Sequence, residues 1–111
     1  MRSTLTVLAF AVAPFLLALP AAAAVPTYNG TVGPGFTITM AKKPTKAGKA
    51  KIVVADKSSI HDFHLTGPGV NVKTSVGGTG TKTFTVTLKK GTYTFVCDPH
   101  KSVMKGSFKI S

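Results

Sequence analysis

One cysteine, one arginine and no glutamate are the most informative shortages in this 111-residue sequence. The lone cysteine, Cys97, excludes an internal disulfide. The lone arginine, Arg2, stands at the N-terminus, so the rest of the chain lacks the side chain most used to read base edges. Acidic residues are limited to Asp56, Asp62 and Asp98. No apolar run reaches the roughly 20 residues that span a bilayer as a helix. The longest covers residues 5–19, broken by Thr6 and Pro14. After it, no segment of useful length shows a helical period.

The N-terminus has the order of an export signal: Met1-Arg2, the apolar run, Pro20, then Ala21-Ala22-Ala23-Ala24. This predicts a signal peptide over residues 1–24 and one domain over residues 25–111, delivered to the periplasm, the cell surface or the medium. Retention of the segment as a membrane anchor is the alternative, but Pro14 and Pro20 suit a stable span poorly. The remaining chain has 111 − 24 = 87 residues, one small core's worth. Its 13 lysines against three aspartates give 13 − 3 = +10 with neutral histidines. Such a surface attracts an acidic partner protein or an anionic cell surface and disfavours self-association, so a monomer is expected. Nucleic acid fits less well, because the lysines are scattered and arginine is missing. A lone thiol in an oxidising compartment must be buried or occupied, and a metal is one occupant.

Period-two alternation recurs between Gly, Pro and Lys turns. Phe36, Ile38 and Met40 share one face; Val70, Val72 and Val76 share another. Phe84, Val86 and Leu88 alternate with threonines, and Tyr93, Phe95 and Cys97 lie in phase, as do Phe108 and Ile110. Residues 50–55 read as a buried strand. Short alternating strands with a turn about every ten residues predict an all-β, antiparallel sandwich of seven or eight strands.

The chemistry gathers in two places. Cys97-Asp98-Pro99-His100 is followed by Met104, and His61-Asp62-Phe63-His64 lies upstream. Two imidazoles, a thiolate and a thioether make a set in which two His and one Cys form a plane and a Met caps it at longer range. That is the donor set of a blue-copper site. Zinc accepts the His and Cys but has no need of the Met. His61 shares its face with Phe63 and Leu65, whereas His64 shares the opposite face with Asp62 and Thr66. The phase therefore predicts His61 as the ligand and His64 as a surface residue, with Asp62 facing outward. Met40, in phase with Ile38, reads as core rather than as a rival for the axial position.

The whole of residues 25–111 resembles the cupredoxins, the group of plastocyanin, pseudoazurin and amicyanin, through Cys97-Asp98-Pro99-His100, Met104 and His61-Asp62. The resemblance implies a Greek-key sandwich of eight strands, one redox-active copper held by His61, Cys97, His100 and Met104, and a one-electron carrier role. It also implies that His100 is the partly exposed ligand through which electrons pass. Two departures bear on the site. Three residues separate His100 from Met104, between the shorter and longer spacings of amicyanin and plastocyanin. Asp62 stands where Asn is usual, and Asp98 where Ser or Thr is common; both are expected beside the ligands, where their charge would lower the copper potential.

The leading expectation is thus a copper electron carrier with a redox partner and no catalytic residues. Copper handling without electron transfer is the alternative, although it usually needs Met- or His-rich sites, and residues 25–111 contain only Met40 and Met104. Three histidines exclude the extra copper centres of a multicopper oxidase. A metal-free adhesive sandwich would leave the ligand pattern unexplained.

Overall fold

Most of the alternating runs become strands, because an extended chain turns successive side chains to opposite faces. The computed structural model describes residues 24–111 together with Thr6, Leu8, Ala9 and Ala11; the rest of the expected signal segment lies outside the described residues. The strands are β1 (Thr27–Val32), β2 (Ile38–Met40), β3 (Gly48–Asp56), β4 (His64–Gly67), β5 (Val70–Lys73), β6 (Gly80–Leu88), β7 (Gly91–Val96) and β8 (Lys105–Ile110). A single 3-10 turn, Asp98–His100, separates β7 from β8. The strands form two four-stranded sheets in the orders β2-β1-β3-β6 and β5-β4-β7-β8. All neighbours run antiparallel except β1 and β3, which are parallel.

The inward rows of both sheets make one apolar core. Tyr28, Val32, Ile38, Met40, Ile52, Val54 and Leu88 face Leu65, Tyr93, Phe95, Phe108 and Ile110. Aromatic pairs order its centre: Phe63 stacks on Phe95 at 5.5 Å and Tyr93 on Phe108 at 5.1 Å, both with nearly parallel rings. The buried Tyr93 hydroxyl is not stranded. It donates to the Pro68 carbonyl at 2.7 Å and accepts the Lys89 N–H at 2.9 Å, so the ring is buried with its polar tip satisfied. Gly67 makes room for that ring, since a Cβ there would overlap it.

Within β1 the Phe63 ring lies against Gly30, where a Cβ would collide with it. Periodicity misplaces two residues. Phe36, expected in the core with Ile38 and Met40, is 61% exposed and precedes β2. β5 ends at Lys73, so Val76 is exposed and not in register with Val70.

Candidate metal centre

Two chain segments meet at one end of the sandwich. On the first, Cys97 continues the inward row of Tyr93 and Phe95 in extended backbone and is fully buried. Pro99 then favours the 3-10 turn at its start. The Cys97 carbonyl accepts the His100 N–H at 3.0 Å, and the His100 carbonyl accepts the Val103 and Met104 N–H groups at 3.1 and 2.9 Å. The Cys97 N–H donates to the Met104 carbonyl at 3.0 Å. That last bond ties the two ends of the loop together and leaves Met104 buried beside the strand ends.

On the second segment, residues 57–63 form a loop between β3 and β4. Asp56 accepts the Ser58 N–H at 3.1 Å at its start. Phe63 anchors its end: its N–H donates to Thr74 Oγ1 at 2.9 Å, and its carbonyl accepts the Thr74 N–H at 3.0 Å. With the Phe63 ring stacked on Phe95, His61 is carried into the buried space above Cys97.

The donor atoms converge. His61 Nδ1 lies 3.1 Å from His100 Nδ1 and 3.7 Å from Cys97 Sγ, and His100 Nδ1 lies 3.5 Å from the same sulfur. His61 is fully buried, whereas His100 is half-buried. His61 Nδ1 faces the other donors, and its Nε2 is a buried atom with no hydrogen-bond partner among the described residues. Burial pushes the Cys97 thiol above its ordinary value.

Around these donors runs a polar chain. Asp62 Oδ1 accepts the Asp98 N–H at 2.6 Å, joining the two loops. Asp62 is 1% exposed, not outward-facing. The phase argument assumed a strand through residues 59–65, but β4 starts only at His64, and in the preceding loop His61, Asp62 and Phe63 are all buried. Burial raises the Asp62 carboxyl above its ordinary value, and the Asp98 side chain adds to this. Asp98 is held below its ordinary value by the Asp62 side chain and by His64.

His64 is more than a surface residue. Its Nδ1 is 3.0 Å from both Asp98 oxygens and its Nε2 is 2.7 Å from Asn71 Oδ1. Burial lowers its affinity for protons, but the bonds to Asp98 and Asn71 outweigh this and raise it above the ordinary imidazole value. A folded-state value raised above the unfolded one stabilises the fold fully at lower pH, and this is lost as pH rises through the folded value. The thermal midpoint of the copper-free protein is therefore expected to fall as pH rises above the ordinary imidazole value and through the raised one of His64. His64→Gln should flatten that slope; an unchanged slope would refute the assignment.

Asn71, Thr74 and Phe36 complete the surroundings, and none carries a sequence signal for this role. Each reaches the site from another strand or turn, so only the meeting of distant segments reveals it.

Residues 21–111 match the family described as copper binding proteins, plastocyanin/azurin family. The chain belongs to this family. No curated protein matches it. Among solved structures, dithionite-reduced auracyanin from the photosynthetic bacterium Roseiflexus castenholzii is 19% identical, with a TM-score of 0.55, covering 81% of this chain and 99% of that one. Reduced rusticyanin is 20% identical with a TM-score of 0.60, covering 81% and 82%. Auracyanin A, a blue copper protein from the green thermophilic bacterium Chloroflexus aurantiacus, is 17% identical with a TM-score of 0.53, covering 78% and 99%. Likeness at these identities establishes the cupredoxin fold.

The donors of this cupredoxin fit the metal of its family. Ligands about 2.0 Å (nitrogen) and 2.3 Å (sulfur) from one ion in a trigonal plane stand about 3.5 Å (N to N) and about 3.7 Å (N to S) apart. The observed spacings of 3.1, 3.5 and 3.7 Å lie close to those values. A metal held at His61 Nδ1 would leave the ring proton on Nε2. Copper is the cofactor, and a soft thiolate with two imidazoles is a donor set that suits it.

Proposed function

We propose that this cupredoxin is an exported one-electron carrier that binds a single copper through His61, Cys97 and His100, with Met104 as the longer fourth ligand. The observation that carries the reading is the convergence of two imidazole nitrogens and one thiol sulfur within 4.8 Å of one another at the end of the sandwich. Bound copper supplies the Cu(II)/Cu(I) couple. The protein's residues hold the site in one shape for both states: His61, Cys97 and Met104 are buried in the fold, and the Cys97–Met104 backbone bond closes the loop.

His100 is the donor nearest solvent. Exposed apolar side chains stand beside the ligands: Ile60 next to His61, Val103 next to Met104, and Phe36 against the His100 ring. Such a surface suits a brief contact with a redox partner. The excess of lysine favours a partner with an acidic face, which is drawn in faster at low ionic strength. Burial of three of the four donors favours a carrier over a copper-delivery protein, whose donors must be reached by an acceptor.

The test is to load the purified protein with one equivalent of Cu(II), record the visible spectrum, then reduce and reoxidise it in the presence of a chelator. A carrier shows an intense thiolate-to-copper band that bleaches and returns without loss of metal. Loss of the metal to the chelator on reduction would favour copper handling.

Asp62 and Asp98 are proposed to tune the couple, because negative charge beside the donors stabilises Cu(II) over Cu(I). Asp62→Asn, which keeps an oxygen for the Asp98 N–H, and Asp98→Ser are each expected to raise the midpoint potential measured by redox titration. No change in either variant would refute the charge effect.

A further inference from the structure

Phe36 is a large aromatic residue left mostly in solvent, yet it touches both imidazoles. Its ring centroid is 5.3 Å from that of His61 and 5.0 Å from that of His100, and the two imidazoles are 4.8 Å apart. All three contacts are edge-on, with interplanar angles of 67°, 89° and 81°. The turn that carries Phe36 is anchored to the site. The Gly33 N–H donates to the Thr37 carbonyl at 2.9 Å, and the Lys57 N–H to the Val32 carbonyl at 2.9 Å. Gly33 has a φ of 73° and lies so near Ser58 and His61 that a Cβ would press on both. The turn is thus seated on the loop that holds His61, which fixes where the Phe36 ring falls.

An imidazole attached through one bond swings its Nδ1 away from a shared centre when it pivots at Cβ. His61 is hemmed in by the core, but half-buried His100 is not. A ring wedged against both histidines blocks that pivot and covers the seam between them.

We propose that Phe36 is a positioning residue for the copper site: it holds the His61 and His100 rings at their mutual angle and closes the seam between them to water and small anions. The inference rests on the copper reading above. It assigns to the β1–β2 turn a role separate from the four donors.

The test compares copper-loaded wild type, Phe36→Ala and Phe36→Leu. Read-outs are the visible and electron paramagnetic resonance spectra of Cu(II), binding of azide, and the rate of copper extraction by EDTA. Phe36→Ala is expected to change the band ratio, to bind azide where the wild type does not, and to lose copper about 10-fold faster. Phe36→Leu, which fills space without a ring edge, should fall between the two. Spectra, azide binding and extraction all within about twofold of a wild type that has the thiolate band would overturn the proposal. A wild type without that band would instead overturn the copper reading. A fall in the thermal midpoint of copper-free Phe36→Ala as large as that of its loaded form would also overturn it, since Phe36 would then serve the fold and not the site.

Discussion

Cys97→Ser is expected to abolish the thiolate-to-copper band and to weaken copper binding by more than about 100-fold, while leaving a folded protein. Removal of a partner that merely orients a ligand typically costs 10- to 100-fold in metal affinity, so loss of a ligand itself should cost more. The serine oxygen is hard and remains protonated at neutral pH, whereas the thiolate is soft and matches Cu(I). Burial holds the Cys97 thiol above its ordinary value in the copper-free protein, so copper binding there would displace a proton. The serine side chain nearly matches the cysteine in shape, so the sandwich should survive. Titration with Cu(II) and the far-ultraviolet dichroism of both proteins check this. Retained tight copper binding by a folded serine variant would refute Cys97 as a ligand.

The second large effect is expected from Phe95→Ala. Phe95 is 2% exposed, stacks on Phe63 and fills the space above Gly106, where a Cβ would overlap its ring. Truncating a buried phenylalanine costs about 3–5 kcal/mol, from lost transfer energy and the cavity left behind. A domain of this size has about 4–13 kcal/mol in total. The copper-free variant should therefore lose a large share of its stability. Copper in about 1,000-fold excess over its dissociation constant returns about 4 kcal/mol by binding only the folded state. The loss should be larger than at a peripheral core position, because Phe63 also ends the loop that presents His61. Urea unfolding of the copper-free and copper-loaded forms checks both points. A destabilisation under about 1 kcal/mol would show that the stack does not carry the core.

Much of this architecture is written locally in the chain. Val86 and Leu88, Tyr93 and Phe95, Phe108 and Ile110 all point inward as their alternation requires, because a strand's two-residue period is a property of the backbone itself. The spacing of Cys97, His100 and Met104 is legible for the same reason: a proline-started turn of a few residues leaves its side chains few places to go. Composition alone fixes the absence of a disulfide and the strongly basic surface.

Other features depend on which distant segments meet. Gly30 lies within β1, and only the meeting of distant segments brings the Phe63 ring across it. Asp62 looks outward by phase, yet it is buried because its loop, not a strand, folds over Cys97, and its carboxylate finds the Asp98 N–H 36 residues away. His64 acquires both its partners, Asp98 and Asn71, only when the second sheet forms. Phe36 leaves its apparent place in the core for the rim of the two imidazoles because the β1–β2 turn is seated on the His61 loop. Periodicity records how a residue relates to its neighbours along one element. Contacts across loops depend on where each chain segment is carried by the sheets, and that was decided by the tertiary structure.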